Sequence, residues 1–293
     1  MAYTDLVTVF LEGHGPATMA AYRRDLADFA AFVQRELNDS VAHLLMLPAG
    51  EANGLVLTYR THLRQRKLSP ATINRRLAAL RSLTKLSRLL GKTTWALEVP
   101  NLPSEAYRDT RGPGREAVKA LLVAAEGSPR DHAILRLLYD LGLRRAEVCG
   151  LDVADLQLGR RTVFVQGKGR LEKSPLELPQ PTALALADWL AVRGEVAGPL
   201  FLNFDRSGKG EARLTGRSVH RLVQKYGGTG VRPHGLRHTA ITEACKAATA
   251  AGIGIEEVLD FSRHKSLAVL MRYRDRERNV QGKLAALVAQ GES

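Results

Sequence analysis

Apolar positions in the first hundred residues recur at steps of three and four, the spacing that gathers side chains on one face of a helix. Over 18–37 the set is Tyr22, Leu26, Phe29 and Val33, and a second helical stretch covers 55–66. Ser69-Pro70 then supplies a capping hydroxyl and a proline for the first helical position; Ile73, Leu77, Leu80 and Leu83 repeat behind it, up to a stop at Gly91. Over 99–114 the period is lost among Pro100, Pro103, Gly112, Pro113 and Gly114, which predicts a linker. It returns over 116–125 and 133–141. Residues 162–166 and 176–178 have strand character around Gly167-Lys168-Gly169 and predict a β-hairpin. Helices are predicted over 181–192, 215–226, 234–248, 255–261 and 267–289, the last apolar at Leu284, Ala285, Leu287 and Val288. The expected fold is mainly α with a small β-hairpin or sheet: a helical domain over 1–99, a linker over 100–114 and a second domain over 115–293.

A length of 293 residues suits two folded units, and 45% hydrophobic with 25% charged residues excludes wholesale disorder and a collagen-like chain. No apolar run approaches the ~20 residues that cross a bilayer. Residues 1–10 lack the basic and apolar regions of a signal peptide, so a soluble, cytoplasmic protein with no membrane partner is expected. Cys149 and Cys245 are too few for a disulfide framework.

Charge changes the picture more. A net charge of +13 suits a polyanionic partner. On the helix after Pro70, Arg81, Lys85 and Arg88 form a second stripe beside the apolar one, and 60–92 holds ten basic residues and no acidic one. Such one-sided charge predicts a phosphate-facing surface. Arg75, Arg76, Arg81, Lys85 and Arg88 are its candidate contacts to a polyanion such as nucleic acid.

The loops that cradle nucleotide phosphates are missing, as are His-Glu-x-x-His, an EF-hand loop and the acidic cluster of a two-metal nuclease. Neither ATP nor a metal or other cofactor is implied. What remains is cationic, imidazole and phenol chemistry: Arg144, Lys168, His234, Arg237, His264 and Tyr273. His234 and Arg237, three apart at a helix start, face the same way. The nine residues from His264 to Tyr273 let a short helix return the phenol toward the imidazole.

In order and spacing these residues resemble the tyrosine recombinases, or phage-type integrases. Gly142-Leu143-Arg144-Arg145-Ala146-Glu147-Val148 is similar to the family's first arginine box, and Gly167-Lys168-Gly169 to its hairpin lysine motif. His234-Gly235-Leu236-Arg237-His238-Thr239 is similar to its His-x-x-Arg box, and the His264–Tyr273 interval to its terminal spacing. The front half resembles the helical, SAM-like core-binding domain of the same family in 21–26 and 75–81. Two departures stand out: Ser262-Arg263 replaces the usual glycine before the histidine, and Val269-Leu270-Met271 replaces the usual threonines.

The resemblance implies DNA strand cleavage and rejoining without metal or ATP. Tyr273 would attack and hold a 3′-phosphotyrosine, which conserves the energy of the broken bond. Arg144 and Arg237 would clamp the nonbridging oxygens as negative charge builds. His264 would hydrogen-bond the same phosphate, His234 would take the phenol proton, and Lys168 would protonate the leaving 5′-oxygen. Glu147 is expected to orient a histidine from behind. Double-stranded DNA and a homotetramer working through a Holliday junction are the implied partners, with accessory proteins an open possibility. Two rivals remain at this point: a catalytically silent DNA-binding protein of the same fold, and a type IB topoisomerase-like enzyme. The set from Arg144 to Tyr273 argues against the first, and the small size and front domain argue against the second.

Overall fold

A computed structural model of the chain describes residues 3–103, 112–167, 169–170, 172–203, 212–264, 266–270 and 280–290. It divides into two units, Met1–Arg108 and Asp109–Ser293.

The N-terminal unit is built from α1 (Tyr3–Glu12), α2 (Pro16–Phe32), α3 (Leu37–Met46), α4 (Ala49–Gln65) and α5 (Pro70–Leu89). The expected start of α5 is realised: the Ser69 hydroxyl accepts the Thr72 amide at 3.3 Å, and Pro70 takes the first helical position. Helix α2 stops earlier than the pattern to Leu37 suggests. Gln34 takes a left-handed conformation, with φ 54°, and the Arg35 amide turns back to the Ala30 carbonyl at 3.1 Å. Leu26, Phe29, Tyr59, Leu77 and Leu80 close one core, with Leu97 and Val99 from the segment behind α5.

That segment is a strap. Arg81 donates to the Val99 carbonyl and to Asn101 Oδ1, both at 2.6 Å, while the Asn74 amide exchanges two hydrogen bonds with the Leu102 backbone, at 2.9 and 2.8 Å. Arg60 adds a bond to the Pro100 carbonyl at 3.0 Å. The first residues of the expected linker are thereby tied to the N-terminal unit, because their carbonyls supply the acceptors that arginines on α4 and α5 need.

The basic stretch 60–92 also finds its anions, on α2. Asp28 pairs with Arg66 at 3.0 Å and with Arg76, and Asp25 pairs with Arg75. The carboxylate of Asp25 is almost wholly buried, and an unpaired charge there would be costly. Burial pushes the Asp25 carboxyl up against the pull of Arg75 and Arg76; at Asp28 burial acts the same way, but bonds from Tyr59 and Arg66 and the charge of Arg76 together outweigh it and bring the carboxyl down.

The C-terminal unit carries α6 (Arg115–Ala125), α7 (Pro129–Asp140), α8 (Arg145–Cys149), β1 (Leu156–Gln157), β2 (Thr162–Gln166), β3 (Lys173–Glu177), α9 (Gln180–Arg193), α10 (Gly216–Gly227), α11 (Pro233–Ala250), α12 (Val258–Ser262), α13 (Leu267–Leu270) and α14 (Val280–Gln290). The strands form an antiparallel sheet in the order β1-β2-β3, with Val163 opposite Leu156 on one side and Leu176 on the other. The expected hairpin thus gains a third strand, too short to leave a periodic signal in the sequence. Pro175, which cannot donate to a ladder, sits on the edge strand β3. Val163 and Val165 point into a core shared with Leu135, Leu138, Trp189 and Phe201.

A smaller cluster, Ile241, Cys245, Ala248, Val258 and Leu270, packs α12 and α13 against the second half of α11. Helix α12 begins at Val258, three residues later than the sequence suggests. The single helix expected over 267–289 is represented by α13 and α14, and 271–279 lie outside the described residues. No described helix is long and apolar enough to cross a membrane.

Candidate catalytic site

Three turns of chain in the C-terminal unit bring Arg144, His234, Arg237 and His264 together. The first follows α7. Gly142 takes φ 55°, a conformation glycine adopts without steric cost, and this turn directs its carbonyl inward. Buried Leu143 then anchors the start of α8, and Arg144 occupies the residue before the helix. Glu147, in the first turn of α8, accepts the Arg144 backbone N–H at 2.8 Å through Oε2 and the Arg144 guanidinium at 2.7 Å through Oε1. One carboxylate caps the helix and neutralises a guanidinium.

The second turn opens α11 with Pro233 at its first position, so His234, Arg237 and His238 follow within about a turn and a half. Arg237 is among the largest fully buried side chains. Its Nη1 donates to the Gly142 carbonyl and its Nη2 to the Ser262 carbonyl, so both arms are fixed by backbone acceptors. His238 packs behind, with Nδ1 3.4 Å from the Thr242 hydroxyl. Gly112 lies so close to α11 that a Cβ there would overlap Thr239 Oγ1 and the Gly235 carbonyl.

The third turn ends α12. Arg263 adopts φ 51° and ψ 38°, a left-handed conformation, and hands the chain to His264. Arg237 Nη2 and His264 Nε2 stand 3.5 Å apart. Arg144 Nη2 reaches the Arg263 carbonyl at 3.3 Å.

Arg144, His234, Arg237 and His264 therefore share one strongly positive neighbourhood. Burial, followed by the charges of Arg237, Arg144, His234 and Arg263, pushes the His264 imidazole down to about 4. His234 is also lowered, by burial first and then by Arg237, His238 and Arg144. Both rings are neutral near pH 7, which leaves His234 able to take a proton. Lys168 and Tyr273 lie outside the described residues. Among the described residues no three His, Cys, Asp or Glu side chains stand together in a way that could hold a metal.

Glu147 differs from expectation. The partners it shows among the described residues are two arginines, Arg144 and Arg263, because the left-handed turn at Arg263 carries that guanidinium to within 3.0 Å of Oε2. Arg263 is the site residue that sequence reasoning missed. Its only sequence signal is an arginine where a tight turn calls for glycine.

The predicted DNA contacts, all in the N-terminal unit, fall into two groups. Arg75, Arg76 and Arg81 have the intramolecular partners described above, although Arg75 keeps 44% of its side chain exposed. The side chains of Lys85 and Arg88 make no hydrogen bond or ion pair among the described residues, and both residues are exposed.

Residues 115–279 match the model of the phage integrase family, and residues 9–88 match that of the phage integrase N-terminal SAM-like domain. The chain belongs to the phage integrase family. Its relatives include a tyrosine recombinase of Synechococcus elongatus, 39% identical over 95% of this chain and 91% of the relative. Another, from Synechocystis, is 36% identical over 94% of this chain and 91% of the relative. Among solved structures, the Tn1549 transposon integrase in complex with circular intermediate DNA shares the fold, with a TM-score of 0.65 at 16% identity over 98% of this chain and 99% of the other. The first arginine box, the His-x-x-Arg box and the His264 turn of this integrase-family chain are the three turns that meet around Gly142, Arg144 and Arg237.

Proposed function

We propose that the chain is a site-specific DNA recombinase that cleaves and rejoins strands through a 3′-phosphotyrosine on Tyr273, without metal or ATP. The observation that carries this reading is the convergence of Arg144, Arg237, His234 and His264 from three separate segments on one positively charged neighbourhood. A phosphodiester placed there meets two guanidiniums whose orientation is fixed before it arrives, and such preorganised donors favour the charge that develops in the transition state.

In the proposed reaction His234 takes the phenol proton as the Tyr273 oxygen bonds to phosphorus. The phosphorus–O5′ bond breaks, and Lys168 protonates the departing oxygen. Arg144, Arg237 and His264 hold the phosphate oxygens throughout. The freed 5′-hydroxyl of a partner strand then gives its proton to Lys168 and attacks phosphorus, the phosphorus–Tyr273 oxygen bond breaks, Tyr273 regains its proton from His234, and the number of phosphodiester bonds is conserved. Two rounds on paired duplexes pass through a Holliday junction and call for four protomers. Lys85 and Arg88, with the exposed face of Arg75, supply phosphate contacts from the N-terminal domain, which we take as 1–99, joined by 100–114 to the catalytic domain, 115–293.

Assembly by exchange of the C-terminal helix has support in two features. Ala285, Ala286 and Val288 of α14 are exposed. The C-terminal unit also has an open groove of about 710 Å³ along α11, lined by small and apolar residues such as Ala240, Ala244, Ala247 and Phe261 and by the charged Arg115, Arg136, Asp140, Glu243 and Lys246. The alanine row on α11 offers the apolar part of that groove to an apolar helix of a neighbouring copy. Because its proposed substrate is DNA, we assign the protein to the cytoplasm.

The test uses plasmid DNA carrying two copies of the bound site. Recombinant products support the reading. Relaxed circles without recombinants point to topoisomerase activity, and binding with no strand exchange or relaxation points to an architectural protein.

A further inference from the structure

Arg263 is an arginine in a conformation that L side chains rarely adopt, with φ 51°, at the residue that leads into His264. The backbone alone gives no reason for a long side chain there, since glycine takes this conformation at no steric cost. What the side chain does explains it. Nη1 donates to the Leu141 carbonyl at 3.2 Å, and Nη2 donates to the Gly142 carbonyl at 3.1 Å and to Glu147 Oε2 at 3.0 Å. The Arg263 carbonyl meanwhile accepts from Arg144 Nη2 at 3.3 Å.

Two of these acceptors are shared with the phosphate clamp. The Gly142 carbonyl also receives Arg237, and the same Glu147 oxygen also receives the Arg144 backbone N–H. Arg263 therefore touches, through one acceptor each, both arginines assigned to the phosphate. Only 16% of its side chain is exposed. A planar fork that binds two carbonyls and a carboxylate at once is a task to which a lysine head group is poorly matched.

We propose that Arg263 is a positioning residue for strand cleavage: by bridging Glu147 and the Leu141–Gly142 turn it fixes the orientation of Arg144 and ties the His264 turn to the phosphate clamp. The role rests on the cleavage reading above and assigns Arg263 no contact with DNA. It also gives a reason for the arginine. The turn gives up glycine's conformational ease, and in return a strut joins segments more than a hundred residues apart in sequence.

The test measures the rate of SDS-resistant adduct formation on a nicked suicide substrate carrying the bound site. Variants are Arg263→Gly, Arg263→Lys, Glu147→Gln and the double variant of Arg263→Gly with Glu147→Gln. Arg263→Gly suits the backbone and removes the strut, so DNA affinity is retained and the rate falls about 10- to 100-fold, the scale of a small misplacement of reacting groups. Arg263→Lys recovers part of that rate. If Arg263 acts through Glu147, the double variant is no slower than the slower single variant. An Arg263→Gly rate equal to the wild type overturns the proposal, as do multiplicative losses in the double variant or full activity in Arg263→Lys. Absence of an adduct in the wild type would instead remove the cleavage reading, so the two failures are distinguishable.

Discussion

Glu147 and Arg144 are joined twice, through the Arg144 backbone N–H at 2.8 Å and the guanidinium at 2.7 Å. The carboxylate is 3% exposed and faces Arg263 as well. Removing it leaves two guanidiniums near each other without a counter-charge. Glu147→Ala should cost about 3–5 kcal/mol of stability, the range for stripping one partner from a buried ion pair. Glu147→Gln, which keeps the shape, should cost less. Urea unfolding of both variants checks the order, and equal, small losses would show that the carboxylate charge contributes little.

Arg237 differs from Arg144 in being almost wholly buried, with both arms on backbone carbonyls. Lysine can place one ammonium but not a fork. Arg237→Lys should therefore lower adduct formation by about 10²- to 10³-fold, comparable to loss of one preorganised donor to a developing anion, with DNA affinity nearly unchanged. Single-turnover cleavage and gel-shift titration separate the two effects.

The histidines give the site a pH signature. An unperturbed imidazole titrates near ~6.5. In the folded protein burial and the charges of Arg237, Arg144, His234 and Arg263 bring His264 to about 4, and His234 is lowered for similar reasons. The folded state thus binds fewer protons than the unfolded chain. The stability that follows is fully present above about pH 6.5 and is lost as the pH falls toward 4. Urea midpoints should drop between pH 7 and pH 5, and His264→Gln should drop less over the same interval. A steeper drop in the variant would contradict the shift.

Gly112 tests the seating of α11. A methyl group there would overlap Thr239 Oγ1 and the Gly235 carbonyl, and the second of these is backbone that cannot rotate away. Gly112→Ala should destabilise the C-terminal unit by about 1–3 kcal/mol, as over-packing does, and slow adduct formation by displacing His234 and Arg237. A variant with wild-type stability and rate would mean that the segment before α6 has no part in placing α11.

Legibility in the sequence followed the range of each interaction. Helix α5 was readable because its cap, its proline and its apolar stripe are local, and the motifs around Arg144 and His234 because each fits within one turn of chain. The partners of the basic stretch 60–92 were not, since Asp25 and Asp28 lie on another helix. Strand β1 has two residues and no period to detect. Arg263 was visible only as a departure from a pattern. Its role needed the backbone conformation that sends its guanidinium back to Gly142 and Glu147, a contact across more than a hundred residues.

The most direct measurement is covalent capture on the suicide substrate with the wild-type chain and Tyr273→Phe. The account predicts an SDS-resistant protein–DNA adduct with the wild type and none with Tyr273→Phe, which still shifts the same DNA in a gel. An adduct of undiminished yield in Tyr273→Phe, or none in a wild-type chain that binds its site, would contradict it.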